Sequence, residues 1–197
     1  MTVIDPYYDN KIGDLRNLLG ARSSQELKER EAQIVFANEL DITPQSISRT
    51  NNLNELLAIH KSLFGDIYDW AGEIRTVDIR KPDEDASFFL PVSKIRDACA
   101  YVFSELQSEH CLQGLDRSIF VQRIAYYYDQ LNYVHPFREG NGRTQRTLWG
   151  RVAYDTGYEI DWSAATSDEN DQASKLAAES MELSGLVAMF EKITSPL

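Results

Sequence analysis

His135-Pro136-Phe137-Arg138-Glu139-Gly140-Asn141-Gly142-Arg143-Thr144-Gln145-Arg146 is the stretch from which the whole chain is read. Pro136 predicts that a helix stops just before it, because the residue preceding a proline is pushed out of the α region towards extended backbone. Gly140-Asn141-Gly142 predicts a turn with positive φ. A helix is predicted to restart at about Arg143. Free N–H groups at a helix start, behind a glycine turn, form an anion cradle. Arg143 and Arg146 are three apart and share one face of that helix. Two arginines beside an N–H nest suit several phosphates in a row. The single carboxylate, Glu139, suits Mg²⁺, which takes one or two protein oxygens and fills its shell from phosphate and water. His135, with an ordinary pKa near ~6.5, is of the type that takes a proton from a hydroxyl.

Each of these residues taken singly is more often structural or solvated; the conjunction is what is specific. The stretch resembles the Fic family signature, His-Pro-Phe-x-(Asp/Glu)-Gly-Asn-Gly-Arg-x-x-Arg, and meets every fixed position from His135 to Arg146. The resemblance implies a protein adenylyltransferase that moves AMP from ATP to a Tyr, Thr or Ser hydroxyl of a target protein. It implies His135 as the base. Glu139 would hold a Mg²⁺ bridging the α- and β-phosphates. Gly140, Asn141 and Gly142 would form the anion nest, and Arg143 and Arg146 would bind the β- and γ-phosphates. Phe137 reads as a wedge into the core and Arg138 as a variable position. A related branch, death-on-curing, carries Lys where Gly142 stands and transfers phosphate instead. Gly142 favours AMP transfer, with a Fic-fold phosphotransferase, another nucleotide or phosphocholine transferase, or a non-enzymatic interaction module as alternatives.

The bulk numbers set limits. At 197 residues and 43% hydrophobic, the chain fits one unit with a sizeable core. A formal net charge of −11 argues against nucleic-acid binding through a basic surface. The three arginines of the motif therefore stand out as a local phosphate site. Cys99 and Cys111 lack metal-ligand spacing, and Cys99 falls on an apolar helix face, as a buried thiol does. No apolar run is long enough for a membrane span, and Met1–Pro6 has no leader pattern, so the cytoplasm is the expected compartment.

Taken in order, residues 1–22 read as an irregular arm anchored by Leu15, Leu18 and Leu19; its Asp5-Pro6-Tyr7 opening resembles several bacterial Fic proteins. Ser23 and Glu26 form a capping box, and Leu27, Glu31, Ile34 and Asn38 predict a helix over about 24–40. Leu53, Leu56, His60, Leu63, Phe64 and Ile67 predict a second over about 53–69. His60 on its inner face reads as a satisfied core histidine rather than a second base. Tyr68-Asp69-Trp70-Ala71-Gly72 resembles the Tyr-x-Trp-Ala-Gly segment that precedes the Fic flap. Ile74–Ile79 and Ser87-Phe88-Phe89-Leu90 predict a hairpin about the turn 81–85. It reads either as an ordinary surface hairpin or, by the resemblance, as a flap that docks the target by strand addition. Helices are predicted over about 92–108, from Asp116 to His135, through Thr147–Ala153 up to Gly157, and as one final packing helix over 170–192. The expected architecture is all-α: the Fic fold, a helical bundle with one β-hairpin flap, in which residues 1–54 form an N-terminal arm and helix extension and 55–197 the Fic domain.

Regulation and partners follow from the resemblance. Many Fic proteins carry an inhibitory Ser/Thr-x-x-x-Glu-Gly/Asn helix whose Glu pairs with the second motif arginine, here Arg146. No Ser or Thr of this chain has Glu four residues on. The expectation is a toxin held off by a separate small antitoxin that supplies the Glu. Some toxins resembling this chain in size modify type II topoisomerases, which makes those the first target class to consider.

Overall fold

In a computed structural model of the chain, residues 5–43, 45–80 and 89–197 are described. Helix α1 spans Ser24–Asp41 and starts where Ser23 accepts the Glu26 N–H. The Glu26 carboxylate reaches Arg22 N–H rather than closing the box on Ser23. α1 buries a thin stripe, Leu27, Glu31 and Val35, while Phe36 lies exposed. Ahead of it, the arm is more ordered than expected. Tyr8–Asp9 (β1) pairs with Asp14–Leu15 (β2) in antiparallel register. Leu15 anchors the arm, but Leu18 is exposed; Tyr7 takes its place, buried edge-on against Trp70 with its hydroxyl accepting Thr76 N–H at 2.9 Å.

α2, Leu53–Phe64, is shorter than its periodicity predicts. Asn52 caps it by accepting Asn54 N–H. After Phe64 the chain leaves the helix in a run of turns to Gly72, and Ile67, Tyr68, Trp70 and Ala71 stay buried along it. The apolar spacing continues past the helix because these turns still face the core. Segment 74–79 carries no strand, and residues 81–88, with Ser87 and Phe88 of the expected hairpin, lie outside the described residues. One 3₁₀ turn, Val92–Lys94, leads into α3, Ile95–Ser108, on whose inner face Cys99 is fully buried.

The centre is α4, Arg117–Val134, and α5, Asn141–Asp155, joined by the motif loop. α2 packs on α5 and on α1, and α4 on α3, α5 and the C-terminal helices. The expected single last helix is two: α6, Ser167–Ser180, and α7, Ser184–Ile193. The chain breaks at Met181, left-handed at φ 57°. Neither Gly nor Pro marks the break; the Ser180 hydroxyl turns back onto Leu176 O and accepts Glu182 N–H, ending the helix through a side chain. The fold-back lets Gly185 meet Ala173 closely: a Cβ there would sit 3.4 Å from its Cα. Tyr158–Ile160 (β3) then pairs with Thr194–Pro196 (β4), closing the C-terminus onto the end of α5.

A buried ion pair locks α2 to α5. Arg151 Nε donates to Glu55 Oε1 at 2.9 Å, and its Nη2 donates to Ile47 O. Glu55 Oε2 accepts the N–H groups of Thr50 and Asn51. Every strong site on the pair is satisfied, so breaking one side leaves the other charge buried. Glu55→Ala is expected to cost about 3–5 kcal/mol of unfolding free energy in urea denaturation; a loss below about 1 kcal/mol would show that Arg151 finds water.

Candidate active site

The helix α4 does end at His135, but not in the extended conformation its proline predicts. His135 is left-handed, φ 47° and ψ 63°, and its N–H donates to Leu131 O. This reverses the chain in a single residue. His135 Nδ1 lies 3.2 Å from the Asn132 carbonyl oxygen, which only accepts. Nδ1 therefore donates to that oxygen. The Phe89 ring stacks on the imidazole, centroids 3.7 Å apart.

The loop is pinned from beneath by His60. Its Nδ1 accepts Gly72 N–H at 2.8 Å, so its Nε2–H donates to Glu139 O at 3.0 Å. Phe137 stacks on the same ring at 3.8 Å. His60 is thus a satisfied core histidine, and what it satisfies is the motif loop. Burial pushes its pKa down from 6.5 to about 4, so it stays neutral. Phe137 is a wedge, fully buried. Arg138, read as a variable position, pairs with Asp5 of the N-terminal arm at 2.9 Å.

Of the three residues assigned to the anion nest, only Gly140 has a positive φ, 79°. A Cβ there would lie 2.5 Å from the Phe64 ring, so the position tolerates glycine alone. α5 begins at Asn141, two residues earlier than predicted, which puts Gly142 inside the helix. The Asn141 side chain is committed to the loop: Oδ1 accepts Phe137 N–H and Nδ2 donates to Phe137 O, both at 2.8 Å. What Asn141, Gly142 and Arg143 offer an anion is their backbone N–H groups, in the first turn of a 15-residue helix.

The two arginines differ. Arg143 Nη2 lies 2.6 Å from Glu31 Oε1 and 3.0 Å from Glu139 Oε1, with its guanidinium over the Phe64 ring. Arg146 makes no ion pair among the described residues. Glu31 was missed as a site residue. The available signal was a carboxylate on the inner stripe of an amphipathic helix, where apolar groups belong. Glu31 also accepts a short hydrogen bond from the Tyr68 hydroxyl. Burial and the adjoining Glu31 carboxylate hold that phenol well above its usual range, so it remains the donor. Because Glu31 shares Arg143, Glu139 is not its sole counter-charge. Glu139 is half-exposed, with Arg143 bonded to Oε1. One accessible carboxylate beside a helix N-terminus fits an ion that draws its other ligands from phosphate and water.

A helical bundle that carries this motif on the loop between its two central helices has the Fic fold. The chain belongs to the Fic/DOC family, whose model matches residues 50–152. It is 40% identical over 86% of its length to the protein adenylyltransferase VbhT of Bartonella schoenbuchensis, though it spans only 35% of that longer protein. It is 32% identical over 97% of its length, and 92% of the relative's, to the Escherichia coli protein named "probable protein adenylyltransferase Fic". Among solved structures, it superposes with a TM-score of 0.87 and 28% identity on the N-terminal Fic domain of a VirB-translocated Bep effector protein from Bartonella quintana, solved with bound ADP. That match covers 96% of this chain and 94% of the other.

The His60 support has a pH signature. Its folded pKa lies below the unfolded value, so the unfolded chain takes up the proton first as pH falls. The stability that neutral His60 contributes is complete above pH 6.5 and is lost as pH falls from 6.5 towards 4, by up to about 3 kcal/mol. In urea titrations, the stability gap between wild type and His60→Asn, which cannot titrate, is expected to narrow over that range. A constant gap would show that His60 titrates as it does in the unfolded chain.

Proposed function

We propose that the chain is a protein adenylyltransferase that uses ATP to place AMP on a hydroxyl of another protein. The observation that carries this reading is the motif loop itself, which sets His135, held through Nδ1 on Asn132 O, one loop away from the α5 helix start with Arg143 and Arg146 on its first two turns. The names of the relatives and the ADP in one of them support it. In the reaction, the target's hydroxyl oxygen attacks the α-phosphorus. His135 Nε2 takes the hydroxyl proton, the bond between the α-phosphorus and the bridging oxygen breaks, and pyrophosphate leaves. The α5 N–H groups, Arg143 and Arg146 hold the β- and γ-phosphates, and the charge of the leaving group develops against them. Glu139 would hold Mg²⁺, which would supply further charge neutralisation to the phosphates. Phe89 and Leu90, with Ser87 and Phe88, are the segment against which the target docks.

Incubating the purified chain with a bacterial lysate and ATP labelled at either the α or the γ position separates the classes. Label on protein from the α position alone supports AMP transfer, the γ position a phosphotransferase, and neither a binding module. His135→Ala is expected to cut labelling by ~10²- to 10⁴-fold while ATP still binds, because the phosphate contacts come from other residues. Glu139→Ala is expected to raise the Mg²⁺ concentration needed and to recover partly at high Mg²⁺. Activity equal in EDTA and in Mg²⁺ would remove the metal from the reading.

The finer reading is a toxin restrained by a separate small protein whose Glu pairs with Arg146. The missing inhibitory motif supports it, as does the lack of an ion pair at Arg146 among the described residues. A bidentate carboxylate–guanidinium pair there would fill the γ-phosphate site. The chain expressed alone is then expected to slow bacterial growth, with relief by His135→Ala. Mass spectrometry of AMP-bearing peptides would name the target and test the topoisomerase expectation. Because Glu31 already touches Arg143, it is the internal carboxylate to examine: an inactive chain woken by Glu31→Ala would place the restraint inside this protein.

A further inference from the structure

Arg75 is a motif-adjacent cation that the proposed reaction does not use. Its side chain is fully buried, and its nearest carboxylate among the described residues, Asp78, lies 3.8 Å away and is half-exposed. A buried charge with so little compensation needs other acceptors. It has three, all backbone carbonyls: Nε donates to His135 O at 2.9 Å, Nη1 to Val77 O at 2.8 Å, and Nη2 to Leu90 O at 2.5 Å. Its own N–H donates to Pro136 O at 2.9 Å.

The acceptors come from three places. Val77 and Leu90 bracket residues 78–89, and His135 is the base. Nearby bonds run the same way: Phe89 N–H to Ile79 O, Leu90 N–H to Tyr133 O, and Val92 N–H to Asp78 Oδ1. The Phe89 ring rests on His135. Both ends of the bracketed segment are therefore fixed to the last turn of α4 and to the residue that would take the proton.

We propose that Arg75 is a positioning residue that sets the spacing between the target-docking segment and the base, so that a hydroxyl delivered along Phe89 and Leu90 arrives at His135. This rests on the docking reading given above. The guanidinium suits the task because its five N–H groups form a rigid planar fork that can reach three carbonyls at fixed angles. A lysine ammonium keeps the charge but not the fork, and leaves buried carbonyls without a donor. A slip of about 1 Å in such an arrangement costs up to ~10²-fold in rate.

The test compares wild type, Arg75→Lys and Phe89→Asp. It reads the initial rate of α-label incorporation into lysate protein over a series of lysate concentrations, the Kd for ATP, and the melting temperature. Arg75→Lys is expected to lower the labelling rate about tenfold or more and to raise the lysate concentration at half-saturation, with the ATP Kd within about twofold of wild type. Unchanged labelling overturns the proposal. So does a parallel loss of labelling and ATP affinity, which would make Arg75 a general structural support. Loss with Phe89→Asp but not with Arg75→Lys overturns the coupling and keeps the docking reading; no loss with Phe89→Asp overturns both. If Arg75→Lys fails to fold, Asp78→Ala removes an exposed tie of the same segment, and normal labelling in that variant overturns the proposal.

Discussion

The site depends on one uncharged imidazole. His60 lies under the α4–α5 loop with both nitrogens committed, one to Gly72 N–H and the other to Glu139 O, and with the Phe137 ring flat against it. Only the neutral ring can accept at one nitrogen and donate at the other, and burial is what keeps it neutral. The carbonyl it holds belongs to the residue whose carboxylate meets Arg143. Glu139 is thus fixed through its backbone, which leaves its side chain available. Asn141 does the same on the other strand of the loop, spending its whole amide on Phe137. Two polar groups that resemble ligands in a sequence are here the frame around the ligands.

That frame explains the division between the arginines. Arg143 is held at one position by Glu31, Glu139 and the Phe64 ring, whereas Arg146 projects from the next turn of α5 with no ion pair among the described residues. A phosphate arriving at Arg143 meets a guanidinium already oriented, at the cost of competing with two carboxylates. At Arg146 the proposed reading has it meet a guanidinium with no ion pair among the described residues.

The motif and the helices were legible because they rest on local rules. Three- and four-residue apolar spacing marks α1 to α5, and Gly157, left-handed at φ 87°, follows α5 as expected. What escaped notice depends on groups far apart in sequence. The Glu55–Arg151 pair joins residues 96 apart, and Arg75 reaches His135 across 60. No periodicity encodes either. The α6–α7 break is local, yet it was hidden: Met181 adopts a conformation that sequence reasoning reserves for Gly or Asn, with a serine side chain ending the helix. His135 departs from the pre-proline preference for the opposite reason. The helix-closing bond of its N–H to Leu131 and the tertiary bond of its carbonyl to Arg75 over-determine a strained backbone.

The family model covers residues 50–152, but the site does not stop there. Glu31 reaches Arg143 from α1, Asp5 reaches Arg138, and the Tyr7 hydroxyl takes the Thr76 N–H next to Arg75. Each tie ends on a residue of the loop or on the approach to the docking segment. The partners also differ in kind: a charge pair at the phosphate end, a charge pair at the variable motif position, and a neutral bond beside the segment meant for the target. Salt weakens the first two and leaves the third nearly untouched. An extension attached in this way reaches the two ends of the candidate site by separate means.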